Sequence, residues 1–429
     1  MSRLLEDILS KPNMSIAQGR VVSNNGSAGV DGVTVEEIEE YMSQNEERIK
    51  GQIRAREYDP QPVRRVEIPK PNGGVRKLGI PTVCDRVILQ AVAQKLIPIF
   101  DPLFSSHSYG FRPGKGAHQA IVEFCRYLDE GYTWIVDLDL EKFFDNIPQD
   151  RLMSLVGRVI HDGDVESLIR KYLKAGVMND GVFEETTRGV SQGSGLSPLL
   201  ANVMLNELDK ELEKRGLHFV RYADDCVIAT RSEASAKRVM ASITRFIEDK
   251  LGLKVNAEKS HVCRPNELKY LGYSFYFETR KNRWLPRPHE KSVEKFKAKL
   301  KKLCCRRWSV SIDYRFQKLN EVIRGWINYF RLGTMKSKLE EIDSHLRTMI
   351  RIVIWKQWKV PSKRQWGLQK LGINKDLARV TAYVGDRYQF VALRTCVNKA
   401  ISKNILVRRG LISCVDYYME KSLYVRLFS

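Results

Sequence analysis

The chain has no run of 18 or more uncharged apolar residues, which argues against a transmembrane helix. No secretory leader is expected either. The opening MSRLLEDILS is interrupted by Glu6 and Asp7, and the same acids spoil the acid-poor pattern of an organellar transit peptide. Cysteine is sparse, with eight in 429 residues, no CxxC and no metal-ligand spacing. Reduced thiols in a cytoplasmic protein are the expectation. There is no internal repeat and no low-complexity tract. The most informative shortage is of acid. Residues 291–429 carry 31 Lys and Arg against 10 Asp and Glu, whereas residues 1–290 carry 41 of each. The whole formal charge of +21 therefore lies in the last third. A basic lobe beside a neutral one suggests a nucleic-acid clamp attached to a catalytic body, the alternative being a merely solvated basic surface.

What is present reads as a globular protein, 43% apolar and 29% charged, and too long for one core, so two or three domains are expected. The first fifty residues form two helical pieces broken by SNNGSAGVDGVT, Ser23 to Thr34. RRVEIPKPNGGVRKLGIP, Arg64 to Pro81, is a hairpin with Arg64, Arg65, Lys70, Arg76 and Lys77 around its turn. Helical spacing follows from Thr82 to about Phe104, then a strand, TWIVDLDL, whose only charges are Asp137 and Asp139. Leu196 to Gly216 reads as a long helix, Glu233 to Leu251 as another, and LKYLGYSFYF, Leu268 to Phe277, as a strand pair. Beyond His289 the pattern is helical. Val293, Phe296, Leu300 and Leu303 share one face, as do Leu319, Val322, Ile323, Trp326, Ile327 and Phe330, which reads first as bundle packing. The lysines on the opposite face are the candidates for gripping phosphate.

The stretch FVRYADDCVIAT, Phe219 to Thr230, sets Asp224 and Asp225 side by side among apolar and β-branched residues. Adjacent carboxylates repel, and a half-buried strand is a costly place for them. Mg²⁺ would make the arrangement favourable, because it binds carboxylate oxygen and bridges it to phosphate. Asp139, at the end of TWIVDLDL, is a third candidate ligand if the two strands are neighbours. Two such ions, about 3.5–4 Å apart, perform the chemistry of polymerases and nucleases. The competing explanation is that Asp224 and Asp225 are ordinary turn residues.

The surrounding residues resemble a known family. Tyr222-Ala223-Asp224-Asp225 matches the YxDD signature of reverse transcriptases, and Asp139 to Asp145 (DLEKFFD) and Ser191 to Pro198 (SQGSGLSP) match neighbouring catalytic blocks. With IPKPNGGVRKLGIP, HSYGFRPGKGAHQA, NAEKS, LKYLGYSF and RGWINYF, nearly the whole chain resembles the bacterial group II intron-encoded reverse transcriptase/maturases, most of all the compact class C members. The resemblance implies an α+β right-hand polymerase. Residues 1–50 would be an N-terminal extension, 51–288 fingers and a palm with an antiparallel sheet, 289–360 a helical thumb or maturase domain, and 361–429 a basic DNA- and RNA-binding region. It further implies that Asp139 and Asp224 hold two Mg²⁺ ions with the backbone carbonyl of Leu140, and that Asp225 is an outer ligand. Lys70 and Arg76 would hold the deoxynucleoside triphosphate, Phe144 would exclude a 2′-hydroxyl, and Gln192 would lie beside the nascent base pair. Lys259 is a candidate acid near the leaving pyrophosphate, although a surface lysine is as reasonable a reading there; Phe144 could alternatively be core, Phe143 being the better core candidate. Leu271 and Gly272 fall in the primer-grip block. Lys295, Lys299, Lys302, Arg324, Trp326 and Tyr329 would face template and intron RNA.

Two features depart from the family pattern. Ser191 and Ser194 stand in a block that commonly opens Pro-Gln-Gly-Gly, which puts the stiffness of that loop in question. No HNH-like Cys/His cluster follows the thumb, so no endonuclease domain is expected, and priming would come from nicked or replicating DNA. The leading expectation is an RNA-directed DNA polymerase that assists splicing and target-primed reverse transcription in intron mobility. The alternatives are a splicing-only RNA-binding maturase and a domesticated or defence-associated reverse transcriptase.

Overall fold

The computed structural model describes residues 2–422 except 70–72, 74 and 180, with the backbone alone at position 76. Two compact units divide the chain, Met1–Arg264 and Pro265–Ser429. The helices of the first are α1 (Arg3–Leu9), α2 (Lys11–Ser23), α3 (Ile38–Arg54), α4 (Val83–Phe100), α5 (Ala117–Asp129), α6 (Phe143–Asn146), α7 (Gln149–Ile160), α8 (Gly163–Lys174), α9 (Ser197–Lys214) and α10 (Glu233–Arg245). Its strands are β1 (Val63–Pro69), β2 (Val75–Ile80), β3 (Trp134–Leu138), β4 (Val177–Asn179), β5 (Val182–Glu184), β6 (His218–Tyr222), β7 (Asp225–Thr230) and β8 (His261–Cys263).

The glycine-rich stretch separates α2 from α3, as its composition predicts. A further break falls at Ser10, because Pro12 lacks an N–H and fits only the first turn of a helix, which here is the start of α2. The central helix α4 is apolar almost all round. Val87, Ile88, Ala91, Val92 and Leu96 have no exposure, so the helix runs through the core rather than over it. Its N-terminus is capped by Thr82, which accepts the Asp85 N–H.

Two sheets frame the site. β1 and β2 form the expected antiparallel hairpin and extend into a four-stranded sheet of order β2-β1-β4-β5. The second sheet has the order β6-β7-β3-β8, every pairing antiparallel. β3 lies between β7 and β8 and is covered on both faces, with Ile135 and Val136 fully buried. That position is why TWIVDLDL reads as a continuous apolar run rather than an alternating one.

The second unit opens with a hairpin of β9 (Tyr273–Glu278) and β10 (Arg283–Pro288). LKYLGYSFYF thus supplies one strand and not a pair. Leu271 and Gly272 both adopt positive φ, 48° and 80°, which turns the chain before β9 begins, and the partner strand comes later. This hairpin falls within the second unit. After it come α11 (Glu290–Leu303), α12 (Ile312–Phe330), α13 (Lys336–Gln357) and, among the described residues, six short helices between Pro361 and Lys421. Phe296, Leu300, Leu319, Ile323 and Ile327 are buried, and Trp326 stacks on Phe296 with centroids 4.4 Å apart. Among the described residues no helix is long and apolar enough to cross a membrane.

Candidate active site

The strands β6 and β7 meet in a two-residue turn, Ala223-Asp224, closed by the pair Tyr222 and Asp225. Ala223 has φ of +58°, a conformation that costs a side-chain-bearing residue about 1–2 kcal/mol. Asp224 stands at the tip, and Asp225 is the first residue of β7. β3 runs antiparallel to β7 with Leu138 opposite Cys226, so one further step sets Asp139 level with Asp225. Folding thereby brings together carboxylates that lie far apart in sequence.

Asp139 is held by its main chain. Its N–H donates to Ser260 Oγ at 3.0 Å, and its carbonyl accepts from the Asn256 N–H at 2.9 Å and from Ser260 Oγ at 3.2 Å. The carboxylate is left facing a cleft of about 1130 Å³ that Asp224, Phe144, Gln192 and Lys259 also line. Lys259 Nζ lies 3.5 Å from Asp139 Oδ1, near enough for charge attraction but long for a hydrogen bond. Leu140 bridges to Val255, and the hydrogen bonds of that bridge use the Asp139 carbonyl and the Glu141 N–H, so the Leu140 carbonyl is not consumed by it.

Negative charge is crowded here. Asp225 reaches solvent at the start of β7, yet it is pushed up to about 7, first by desolvation and then by Asp224, Asp137 and Asp139, with Lys259 opposing. Burial is also the main cause that raises Asp137 to about 6, with Asp139 adding to it and His261 opposing. Among the described residues no three His, Cys, Asp or Glu side chains converge as a ready-made metal cage. Two carboxylates and a carbonyl that the Leu140–Val255 bridge leaves unused, beside an open cleft, nevertheless fit Mg²⁺, which takes few protein carboxylates and completes its shell with water and substrate phosphate.

Phe143 is core, 3% exposed, whereas Phe144 is half-buried, lines the cleft and packs edge-on against Phe143 at 5.3 Å. The loop that carries Gln192 is tied down on both sides. The Val190 N–H donates to the Phe144 carbonyl at 2.7 Å, and the Gln192 carbonyl accepts from the Gly79 N–H at 3.0 Å. A Cβ at Gly193 would stand 2.6 Å from the Gly79 carbonyl oxygen, at a φ of +130°, so only glycine fits. The two unusual serines do not loosen this loop. Ser191 Oγ donates to the Gly79 carbonyl at 3.4 Å, Ser197 Oγ to the Ser191 carbonyl at 2.6 Å, and Ser194 Oγ accepts the Leu196 N–H at 3.2 Å.

Of the expected triphosphate ligands, Lys70 lies outside the described residues, and the backbone of Arg76 pairs with Ile68 in the hairpin. Arg65 and Lys77 line the cleft, and the strand period of two was the signal that could have picked them out. Arg64, on the alternate face, donates to the Ala28 carbonyl of the glycine-rich loop at 2.7 Å. Ser260 was also missed, since nothing in NAEKS distinguishes it from a turn serine.

Within the second unit, the Leu271-Gly272 turn is braced. The Gly272 carbonyl accepts from the His289 N–H at 2.9 Å and from Ser292 Oγ at 3.0 Å, and the Leu271 carbonyl accepts from the Tyr329 hydroxyl at 2.9 Å. The Tyr329 hydroxyl and the Trp326 ring are therefore engaged inside this unit, while Lys295, Lys299, Lys302 and Arg324 are exposed.

Comparison with known proteins accords with this geometry. Residues 68–275 match the family model described as reverse transcriptase (RNA-dependent DNA polymerase), and residues 293–372 match the group II intron, maturase-specific domain. "Protein YkfC" of Escherichia coli (strain K12) is 30% identical over 308 residues, 62% of this chain and 81% of that protein. The chain belongs to the group II intron reverse transcriptase/maturase family. A further family relative, "Group II intron-encoded protein LtrA" of Lactococcus lactis subsp. cremoris, is 29% identical over 63% of this chain. The "Putative COX1/OXI3 intron 2 protein" of Saccharomyces cerevisiae (strain ATCC 204508 / S288c) is 28% identical over 67% of it. The chain spans 56% and 40% of the length of these last two.

Proposed function

We propose that this chain is an RNA-directed DNA polymerase of the group II intron type, acting in the cytoplasm on a DNA primer and an RNA template and also binding intron RNA to assist splicing and mobility. The observation that carries the reading is the antiparallel pairing of β3 with β7, with Asp139 and Asp224 in the wall of one cleft. Asp139, Asp224 and the Leu140 carbonyl would hold two Mg²⁺ ions, with Asp225 in the outer sphere. When bound, such ions make a 3′-hydroxyl a better nucleophile and neutralise charge on a leaving pyrophosphate.

The remaining work falls to the chain's own residues. Lys70 and Arg76, joined by Arg65 and Lys77, present ammonium and guanidinium groups to phosphate oxygens. The Phe144 ring lies under the sugar, where a 2′-hydroxyl would collide with it. Gln192, on its braced loop, contacts the nascent pair. Lys259 supplies a proton to the departing pyrophosphate. Leu271 and Gly272 support the primer end, and the exposed lysines of α11 with Arg324 bind RNA phosphates.

Primer extension on an RNA template tests the reading, with Asp224→Ala as the control. Extension by the wild type and none by the variant is expected. Equal, background-level cDNA from both would overturn the polymerase and leave an RNA-binding maturase.

A further inference from the structure

Arg221 sits in the apolar run of β6, immediately before the catalytic turn, and nothing in the proposed chemistry uses it. Its side chain is wholly buried, as is that of Asp209 on α9. Nε and Nη2 donate to the two Asp209 carboxylate oxygens at 2.7 and 2.5 Å. Nη1 donates to Asn202 Oδ1 at 3.0 Å and to the Ala223 carbonyl at 2.9 Å. A buried ion pair is expensive to desolvate and is often replaceable by apolar side chains at little loss of stability. The contact that sets this one apart is to Ala223, the residue of the turn in the unfavourable left-handed region.

The surroundings reinforce that contact. Asn202 Nδ2 donates to the Gly110 carbonyl at 2.9 Å, and Gly110 lies so close against the turn that a Cβ there would come 2.2 Å from the Ala223 nitrogen. The Arg221 backbone is fastened as well, its N–H to the His107 carbonyl at 3.0 Å and its carbonyl to the Tyr109 N–H at 2.8 Å. Helix α9, which supplies Asn202 and Asp209, begins at Ser197, whose hydroxyl holds the Ser191 carbonyl beside Gln192. One rigid helix thus supports both the turn that carries Asp224 and the loop that carries Gln192.

We infer that Arg221, fixed by Asp209 and Asn202, is a positioning residue that grips the Ala223 carbonyl and so sets the aim of Asp224 relative to Asp139 and the Gln192 loop. The inference rests on the polymerase reading for its consequence, though not for its geometry. A planar guanidinium can serve Asp209, Asn202 and Ala223 together; an ammonium in its place cannot span all three.

The test uses the full chain with two variants. Arg221→Lys keeps the charge beside Asp209 but loses the fork. Asn202→Ala keeps the Arg221–Asp209 pair and removes one brace. Three measurements are made on each: the melting temperature, amide hydrogen exchange at Tyr222 to Asp225, and the kcat and KM of primer extension. Both variants should exchange faster at the turn. kcat should fall about tenfold for Asn202→Ala and up to about a hundredfold for Arg221→Lys, with KM for the nucleotide little changed, as expected when a catalytic group is misplaced by a fraction of its length. A folded variant with wild-type exchange at the turn and wild-type kcat overturns the inference. A kcat loss that merely follows the loss of folded protein, without faster turn exchange in the folded fraction, also overturns it. If Arg221→Lys does not fold, Asn202→Ala decides alone. Absence of extension by the wild type would defeat the polymerase reading separately, and the exchange data would still decide the positioning role.

Discussion

Replacing Phe144 with alanine separates two roles that its ring could play. If the ring is chiefly packing, the variant loses stability and nothing else. A fully buried Phe→Ala change costs about 3–5 kcal/mol, and Phe144 is only half-buried, with Phe143 and not Phe144 anchored in the core, so about 1.5–2.5 kcal/mol is expected. If the ring also lies beneath the sugar, its removal opens space for a 2′-hydroxyl. An apolar pocket distinguishes a substrate from one that merely adds a hydroxyl by about a hundredfold, which sets the scale of discrimination at risk. The assay is primer extension on an RNA template, with kcat/KM measured for a deoxynucleotide and for the matching ribonucleotide. The ratio should fall by about one to two orders of magnitude in Phe144→Ala, largely through faster use of the ribonucleotide. A ratio equal to that of the wild type, in a protein destabilised by the expected amount, would refute the gate and leave Phe144 as packing.

Ser260→Ala removes both side-chain hydrogen bonds to the Asp139 backbone and leaves the Asp139 N–H without this acceptor; a loss of about 1–2 kcal/mol and a drop in kcat of about tenfold are expected, and an unchanged melting curve with unchanged kcat would rule the clamp out. Neutralising Lys295, Lys299 and Lys302 together should weaken RNA binding and flatten the slope of log K against log salt by about 0.7 per lost single-strand phosphate contact, without altering the melting temperature; an unaltered slope would mean that these exposed charges serve something else. Asp85, buried in the first unit, accepts from Tyr58, Tyr172 and Thr82, but burial outweighs these bonds and raises its carboxyl. A carboxyl raised in the native state holds its proton more tightly folded than unfolded, so its contribution is present at acidic pH and fades as pH climbs through the native value. The melting temperature of Asp85→Asn relative to the wild type should therefore rise as the pH is raised above about 4, and a constant difference would contradict this.

Much of this was legible because the signals were local. The hairpin of β1 and β2, the helix from Ser197, and the apolar strand that runs up to Asp139 each combine period and punctuation in one short stretch. The adjacency of β3 and β7 was legible only through chemistry: repelling carboxylates required a shared counter-charge, and that requirement drew two distant strands together. The Leu271-Gly272 turn was not legible, because a leucine at positive φ is disfavoured locally and is held by His289, Ser292 and Tyr329, all of them distant or unremarkable in sequence. Trp326 illustrates the same limit from the other side. Its spacing served both a packed stripe and an RNA-facing surface, and the Phe296 ring stacked against it accounts for the packing. Ser260 and Arg221 escaped for a common reason: each acts on the backbone of another residue, and main-chain partners leave no mark on composition.

The charges of the cleft explain why so crowded a group of acids is compatible with a folded site. Among its described lining residues, Arg65, Lys77, Lys142, Arg188 and Lys259 balance Asp139, Glu141, Asp145, Asp224 and Glu258 in number, and Lys259 lies 3.5 Å from Asp139. A triphosphate brings roughly four negative charges, and two divalent ions bring about as many positive ones. On the proposed reading the combined load is close to neutral, as these described lining residues are when taken together. Either half alone would add net charge to a partly desolvated place, where unpaired charge is costly. The arrangement therefore favours nucleotide and metal arriving together over either arriving alone. Asp225, raised first by desolvation and then by Asp224, Asp137 and Asp139, is then part of the resting cost of a site built to be loaded.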